Sequence, residues 1–341
     1  NAWLDPLGVR VALLTGRQTG KVRAALEADL ASGAIQVAVG THALFQEDIA
    51  FQRLVLAIVD EQHRFGVHQR LQLREKGQHE GRFPHQLVMT ATPIPRTLAM
   101  TAYADLDVSI IDELPPGRTP IKTVVLPDTR RSDIVERIDT ACRSGRQAYW
   151  VCPLIDESDL VRYEAAEKTA AQLAEALPDV RIGLVHGRMA GKQKDTVMTA
   201  FKQGKLDLLV ATTVIEVGVD VPNASLMVVE NAERMGLAQL HQLRGRVGRG
   251  SVESTCVLLY QAPLSPIARE RLAVLRETND GFEVARRDLE LRGPGELMGT
   301  RETGLMQLRV ADLVRDADLL PDVQRASALM LDGSKANIAG L

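Results

Sequence analysis

Short apolar runs alternate with amphipathic stretches along nearly the whole chain, and one proline-rich break interrupts them. Such alternation is the signature of βαβ units, in which helices cover a parallel sheet. Strands are expected at Val9–Leu14, Ile35–Val39, Leu54–Val59, Gln86–Met89 and Val108–Ile111. A second series is expected at Lys122–Leu126, Ala148–Cys152, Ile182–Val185, Leu208–Ala211, Leu226–Val229 and Cys256–Tyr260. Thr19–Ser32 reads as an amphipathic helix with Gly33 at its end, and Ser132–Arg143, Tyr163–Leu177 and Gly191–Lys202 read as helices of the second series. Between the series, Leu114-Pro115-Pro116-Gly117-Arg118-Thr119-Pro120 favours extended backbone and a linker. Beyond Pro263 only helical patterning remains, with a glycine-rich turn at Arg292-Gly293-Pro294-Gly295. The expected organisation is α/β: a partial lobe over 1–112, a linker over 113–121, a second lobe over 122–262 and a helical tail over 263–341.

Composition narrows the function classes. At roughly 150 residues per domain, 341 residues predict two domains. Hydrophobics at 45% with 25% charged residues exclude a disordered chain and a disulfide-rich scaffold. No apolar run approaches the ~18 residues of a membrane span, so a cytoplasmic protein is expected. Cys142, Cys152 and Cys256 lack the paired spacing of a zinc site and read as buried free thiols. A net charge of −3 predicts no general affinity for polyanions, so any nucleic-acid contact must come from local basic clusters. Asn1 stands where a methionine would open a complete chain, which reads as a fragment.

Three segments carry chemistry. The apolar strand ending at Val59 is followed by Asp60-Glu61-Gln62-His63, which puts two carboxylates at the C-terminal edge of a parallel sheet, where ligands bind. There Asp60 can hold Mg²⁺ through water and Glu61 can deprotonate an attacking water; the competing account is a solvated polar turn. Thr90-Ala91-Thr92-Pro93 also follows a strand, and its hydroxyls can link Asp60–His63 to a second site. Gln239–Gly250 (QLHQLRGRVGRG) is the strongest signal. Its three arginines lie on a short helix-like stretch, and Arg246 and Arg249, about one turn apart, can both serve one anionic site such as a γ-phosphate. Upstream, Ala211–Pro222 leaves a strand for a loop in which Thr212 and Thr213 can contact a nucleic-acid phosphate and Asp220 can face ribose or the arginines, with a turn at Gly218.

In order, Gly40-Thr41-His42-Ala43, DEQH (60–63), TATPIPRT (90–97), HGRM (186–189), TTVIEVGVDVP (212–222) and QLHQLRGRVGRG (239–250) resemble the motifs of superfamily 2 helicases. DEQHRFGVHQR (60–70), DELPPGRTP (112–120) and NDGFEVARRDLELRGPGELMGTRETG (279–304) resemble the RecG family of bacterial branched-DNA translocases. The last segment is similar to the translocation motif that this family shares with the transcription–repair coupling factor, which is the alternative assignment. The resemblance implies two RecA-like lobes holding Mg²⁺-ATP, with Asp60 and Glu61 from one and Asp220, Gln242, Arg246 and Arg249 from the other. It further implies nucleic-acid or coupling roles for Gly40, Thr41, His63, Thr90, Thr92, His186, Thr212, Thr213 and Arg292. The implied partners are forks, Holliday junctions and single-strand-binding protein, acted on by a monomer. A third account treats the chain as a non-catalytic nucleic-acid-binding fragment.

The family requires a Walker A loop, GxxxxGK[ST], ahead of the DEQH strand, and the sequence contains none. Gly16–Val22 approximates it, but its glycines are one residue too close and Val22 stands where a hydroxyl is needed. It reads as a strand–helix turn, in a chain expected to begin midway through the first lobe. His63 and His68 lack metal-ligand spacing, and Trp3 and Trp150 read as packing rather than base-stacking residues.

Overall fold

The computed structural model describes residues 2–16, 18–46, 48–61, 76–77, 81–90, 107, 109–115, 117–153, 159–212, 221–250, 252–292, 316, 319, 322–323, 325–327 and 329–330, the side chains of 159–162 and 292 excepted. These fall into two compact units, one within Asn1–Ala91 and one within Thr92–Leu297 and Leu305–Leu341.

The first unit contains strand β1 (Val11–Leu14), helix α1 (Gly20–Ala31) and strands β2 (Val37–Gly40), β3 (Leu56–Val59) and β4 (His85–Val88). Strand β1 pairs in parallel with β2, and β3 with β4, as two ladders among the described residues. Strand β3 is apolar on both faces but buried on one: Ala57 and Val59 point inward, whereas Leu56 and Ile58 are exposed. A small core of Leu14, Leu30, Ile35, Ala43 and Ile49 holds β1, α1 and β2 together. The strand expected at Val108–Ile111 is not formed over Ser109–Ile111, and Ile111 is 88% exposed. An apolar run without a ladder partner cannot satisfy its backbone as a strand.

The second unit is doubly wound. Strands β5 (Lys122–Pro127), β6 (Gln147–Val151), β7 (Ile182–Val185), β8 (Leu208–Ala211), β9 (Ala224–Val229) and β10 (Thr255–Tyr260) form one parallel sheet in the order β5-β10-β9-β6-β8-β7. The strands read as continuous apolar runs because both faces are covered. Ala148 and Trp150 of β6 join Leu208, Val210 and Val228 beneath helices α2 (Arg131–Arg143) and α3 (Asp159–Ala176). Tyr149 and Val151 point the other way, with Leu209, Met227 and Leu258, beneath α4 (Gly191–Lys202), α5 (Leu237–Arg244), α6 (Pro266–Glu277) and α7 (Gly281–Arg292). Trp150 is fully buried, and truncating such a side chain to alanine costs about 3–5 kcal/mol. All three cysteines are buried free thiols, as expected from their spacing.

Candidate functional site

In the first unit the chemistry-bearing residues collect where parallel strands end. Val59 and Val88 are paired, so Asp60–Glu61 and Thr90 leave β3 and β4 at the same C-terminal edge. The Oδ1 of Asp60 accepts the backbone N–H of Glu61 at 2.8 Å. Glu61 has φ +53, in the left-handed region that a residue with a Cβ enters only at a cost. Such outliers persist where surrounding structure enforces them, characteristically at functional sites. Gly40 ends β2 opposite Leu14, and a Cβ there would run into the Leu14 carbonyl, so only glycine allows the approach. Thr41, exposed at the same edge, donates its N–H to Leu14 O at 3.3 Å. The loop after β1 is closed by Gln18, whose Oε1 accepts from Thr15 N at 2.6 Å and whose Nε2 donates to Leu13 O at 2.7 Å.

The second unit repeats the pattern. Val185 pairs with Ala211, so His186 and Thr212 leave adjacent strands side by side, and Thr212 N donates to Val185 O at 3.2 Å. Both residues are buried, and neither His186 Nδ1 nor Thr212 Oγ1 has a hydrogen-bond partner among the described residues. His186 Nε2 lies 3.6 Å from Glu167 Oε1, and its ring packs 5.1 Å from that of Tyr163. Buried polar atoms are nearly always bonded, so two orphans at one sheet edge mark a place that a polar ligand can complete.

The arginine motif departs from expectation. Helix α5 ends at Arg244, and Arg246 and Arg249 lie beyond it in a turn rather than on the helix. Gly245 is the C-cap of the helix, and Gly248, with φ +74, turns the chain beyond it. Arg244 is 2% exposed and faces the core: its Nη1 donates to Leu275 O at 2.8 Å and Thr278 O at 2.7 Å, and its Nη2 contacts His241 Nδ1 at 2.9 Å. It therefore serves structure, not an anionic site. Burial pushes the His241 imidazole down to about 4, with the Arg244 charge adding to the effect. Gln242 and Arg246 are half-buried; Arg249 is exposed, and its Nε donates to Gly245 O at 3.4 Å.

His63, Thr92, Thr213, Gly218 and Asp220, and the side chain of Arg292, lie outside the described residues. Two residues escaped the sequence reading. Arg244, read only as one of three arginines on the stretch, proves to be a buried structural residue. Arg118, read as part of the linker, donates to carbonyls of the arginine turn.

Residues 1–101 match the DEAD/DEAH box helicase family and 131–251 the helicase conserved C-terminal domain. Residues 278–338 match the C-terminal part of domain 3 of the ATP-dependent DNA helicase RecG. The chain is 66% identical over 324 residues to the ATP-dependent DNA helicase RecG of Escherichia coli O127:H6, covering 95% of this chain and 47% of that one. Against the RecG of Bacillus subtilis it is 47% identical over 321 residues, covering 94% and 46% respectively. It thus spans about half the length of the curated relatives it matches. Among solved structures it is similar to RecG bound to a three-way DNA junction, with TM-score 0.68 and 43% identity over 93% of this chain and 41% of that one.

Proposed function

We propose, from the premise that the chain belongs to the RecG helicase family as its C-terminal motor portion, that it converts ATP hydrolysis into movement along duplex DNA and so remodels stalled forks and Holliday junctions. The observation that carries this reading is positional. Asp60, Thr90, His186 and Thr212 all stand at the C-terminal ends of parallel strands, where open α/β sheets bind ligands. The match of residues 278–338 to a RecG domain favours this family over the transcription–repair coupling alternative.

Asp60 is an exposed hard oxygen donor at such an edge, which suits Mg²⁺, an ion that keeps several waters and takes few carboxylates beside substrate phosphates. When bound, the ion would neutralise phosphate charge. Glu61 orients the attacking water and takes its proton. Arg246 and Arg249 supply permanent charge to the γ-phosphate, and Gln242 hydrogen-bonds it. Gly218 and Asp220 are assigned to nucleotide binding.

DNA contacts fall to Gly40, Thr41, Thr90, Thr92, His186, Thr212 and Thr213. A phosphate oxygen could accept from the Thr212 hydroxyl and from His186 in the tautomer that carries Nδ1–H, relieving both orphans, and such contacts read no sequence. His63 links the carboxylates to the DNA residues, and Arg292 links nucleotide turnover to translocation.

The test is a labelled three-way junction incubated with the full product of the native gene. Strand separation that requires ATP and Mg²⁺ and prefers the junction to linear duplex is expected. Its absence from folded protein would overturn the proposal.

A further inference from the structure

Arg118 sits in the proline-rich segment ahead of β5, a stretch to which no role has been attached. Its side chain reaches across to the arginine turn. Nε donates to the carbonyl of Gly248 at 3.1 Å and Nη2 to the carbonyl of Gly245 at 3.2 Å. A peptide unit is planar, so the carbonyl of one residue and the N–H of the next move as one body. The carbonyl of Gly245 shares its plane with the nitrogen of Arg246, and that of Gly248 with the nitrogen of Arg249. One guanidinium thus pins the two peptide planes from which Arg246 and Arg249 spring.

Three neighbouring contacts reinforce the grip. A Cβ at Gly248, where φ is +74, would lie 2.9 Å from Ile121 Cγ1, so the linker packs flush on the turn. Lys122 N donates to Ser254 O at 3.0 Å just beyond it. The carbonyl of Gly245 also accepts from Arg249 Nε at 3.4 Å, so Arg118 and Arg249 converge on one oxygen. Arginine suits this task because its rigid fork meets two acceptors at once, whereas an ammonium group is a single point.

We infer that Arg118 is a positioning residue for ATP hydrolysis: it fixes the turn that aims Arg246 and Arg249, and it ties that turn to the linker. The inference rests on the proposed role of those two arginines. It makes the linker segment part of the hydrolytic apparatus rather than a passive tether.

Two measurements test it. In the 341-residue chain, Arg118→Ala should speed hydrogen exchange of the Arg246 and Arg249 amides about tenfold or more, with exchange elsewhere in the sheet unchanged. In the full product of the native gene, Arg118→Ala should lower kcat for DNA-stimulated ATP hydrolysis about tenfold while KM for ATP moves less than about twofold. Arg118→Ala combined with Arg249→Ala should lose less kcat than the product of the two single losses, because the first change acts in part through the second residue. Should Arg118→Ala not fold, Arg118→Lys is held to the same readouts and should recover only part of the parental kcat. Unchanged exchange, or kcat losses that multiply in the double variant, would overturn the proposal. A parental product without ATPase would instead overturn the functional reading on which it rests.

Discussion

The guanidinium of Arg244 ends 2.7 Å from the carbonyl oxygen of Thr278, and the same nitrogen reaches the carbonyl of Leu275 at 2.8 Å. Both carbonyls belong to the C-terminal end of α6, where the helix dipole favours a cation. Burial lowers the arginine's affinity for its proton, yet no carboxylate is needed because neutral acceptors surround it. Arg244 thereby joins the helix leading into the arginine turn to the helices behind it. Arg244→Ala leaves these carbonyls without their donor and should cost about 3 kcal/mol of stability. Urea unfolding of the 341-residue chain measures this, and a loss below about 0.5 kcal/mol would show that the bonds contribute nothing net.

His241 makes stability depend on pH. Its folded value is pushed down to about 4 from an ordinary 6.5, chiefly by burial and then by the Arg244 charge, with Asp280 opposing. Between those values the unfolded chain binds a proton that the folded chain refuses, so stability is whole above pH 6.5 and falls as pH drops toward 4. The contribution is about 3 kcal/mol at most. His241→Asn keeps an acceptor for Arg244 without a titrating ring and should flatten the melting-temperature profile between pH 7 and about pH 5. Identical slopes for parent and variant would remove His241 from the account.

The sheet of the second unit was legible because its strands are buried on both faces. Ile182–Val185 and Leu208–Ala211 form where continuous apolar runs lie between helical stretches. Val108–Ile111 carries the same residue types, but nothing local says whether a run will find a ladder, and Ile111 instead points to solvent. The strand-edge residues Asp60, Thr90, His186 and Thr212 were legible because each follows its strand within two residues. Arg244 and Arg118 were not, since the carbonyls they bind lie more than thirty and more than a hundred residues away in sequence. A backbone acceptor has no sequence signature.

The 341-residue chain expressed alone should hydrolyse little ATP, with or without DNA. Its sequence holds no GxxxxGK[ST] loop whose backbone N–H groups would cradle phosphates. The nearest candidate is stoppered by Gln18, whose amide already engages Thr15 N and Leu13 O. A steady-state phosphate-release assay on purified chain is sufficient, and robust turnover abolished by Glu61→Gln would overturn this expectation.

Glu61 combines a catalytic assignment with a strained backbone, and the two can be separated. A left-handed φ of +53 costs a residue with a Cβ about 1–2 kcal/mol. Glycine escapes that strain but loses more chain entropy on folding, so Glu61→Gly should gain about 1 kcal/mol or less. Glu61→Gln keeps both the Cβ and the strain, and its stability should match the parent. In the full product of the native gene, Glu61→Gln should still bind ATP while turnover falls about 10²–10⁴-fold, because an amide cannot take the proton from water. Glu61→Gly should lose turnover as well, which separates stability from activity at one position. Denaturant melts of the three proteins beside their ATPase rates decide the matter. If Glu61→Gly is less stable than the parent, the left-handed backbone is not strained as argued. If Glu61→Gln turns over at the parental rate, the general base lies elsewhere.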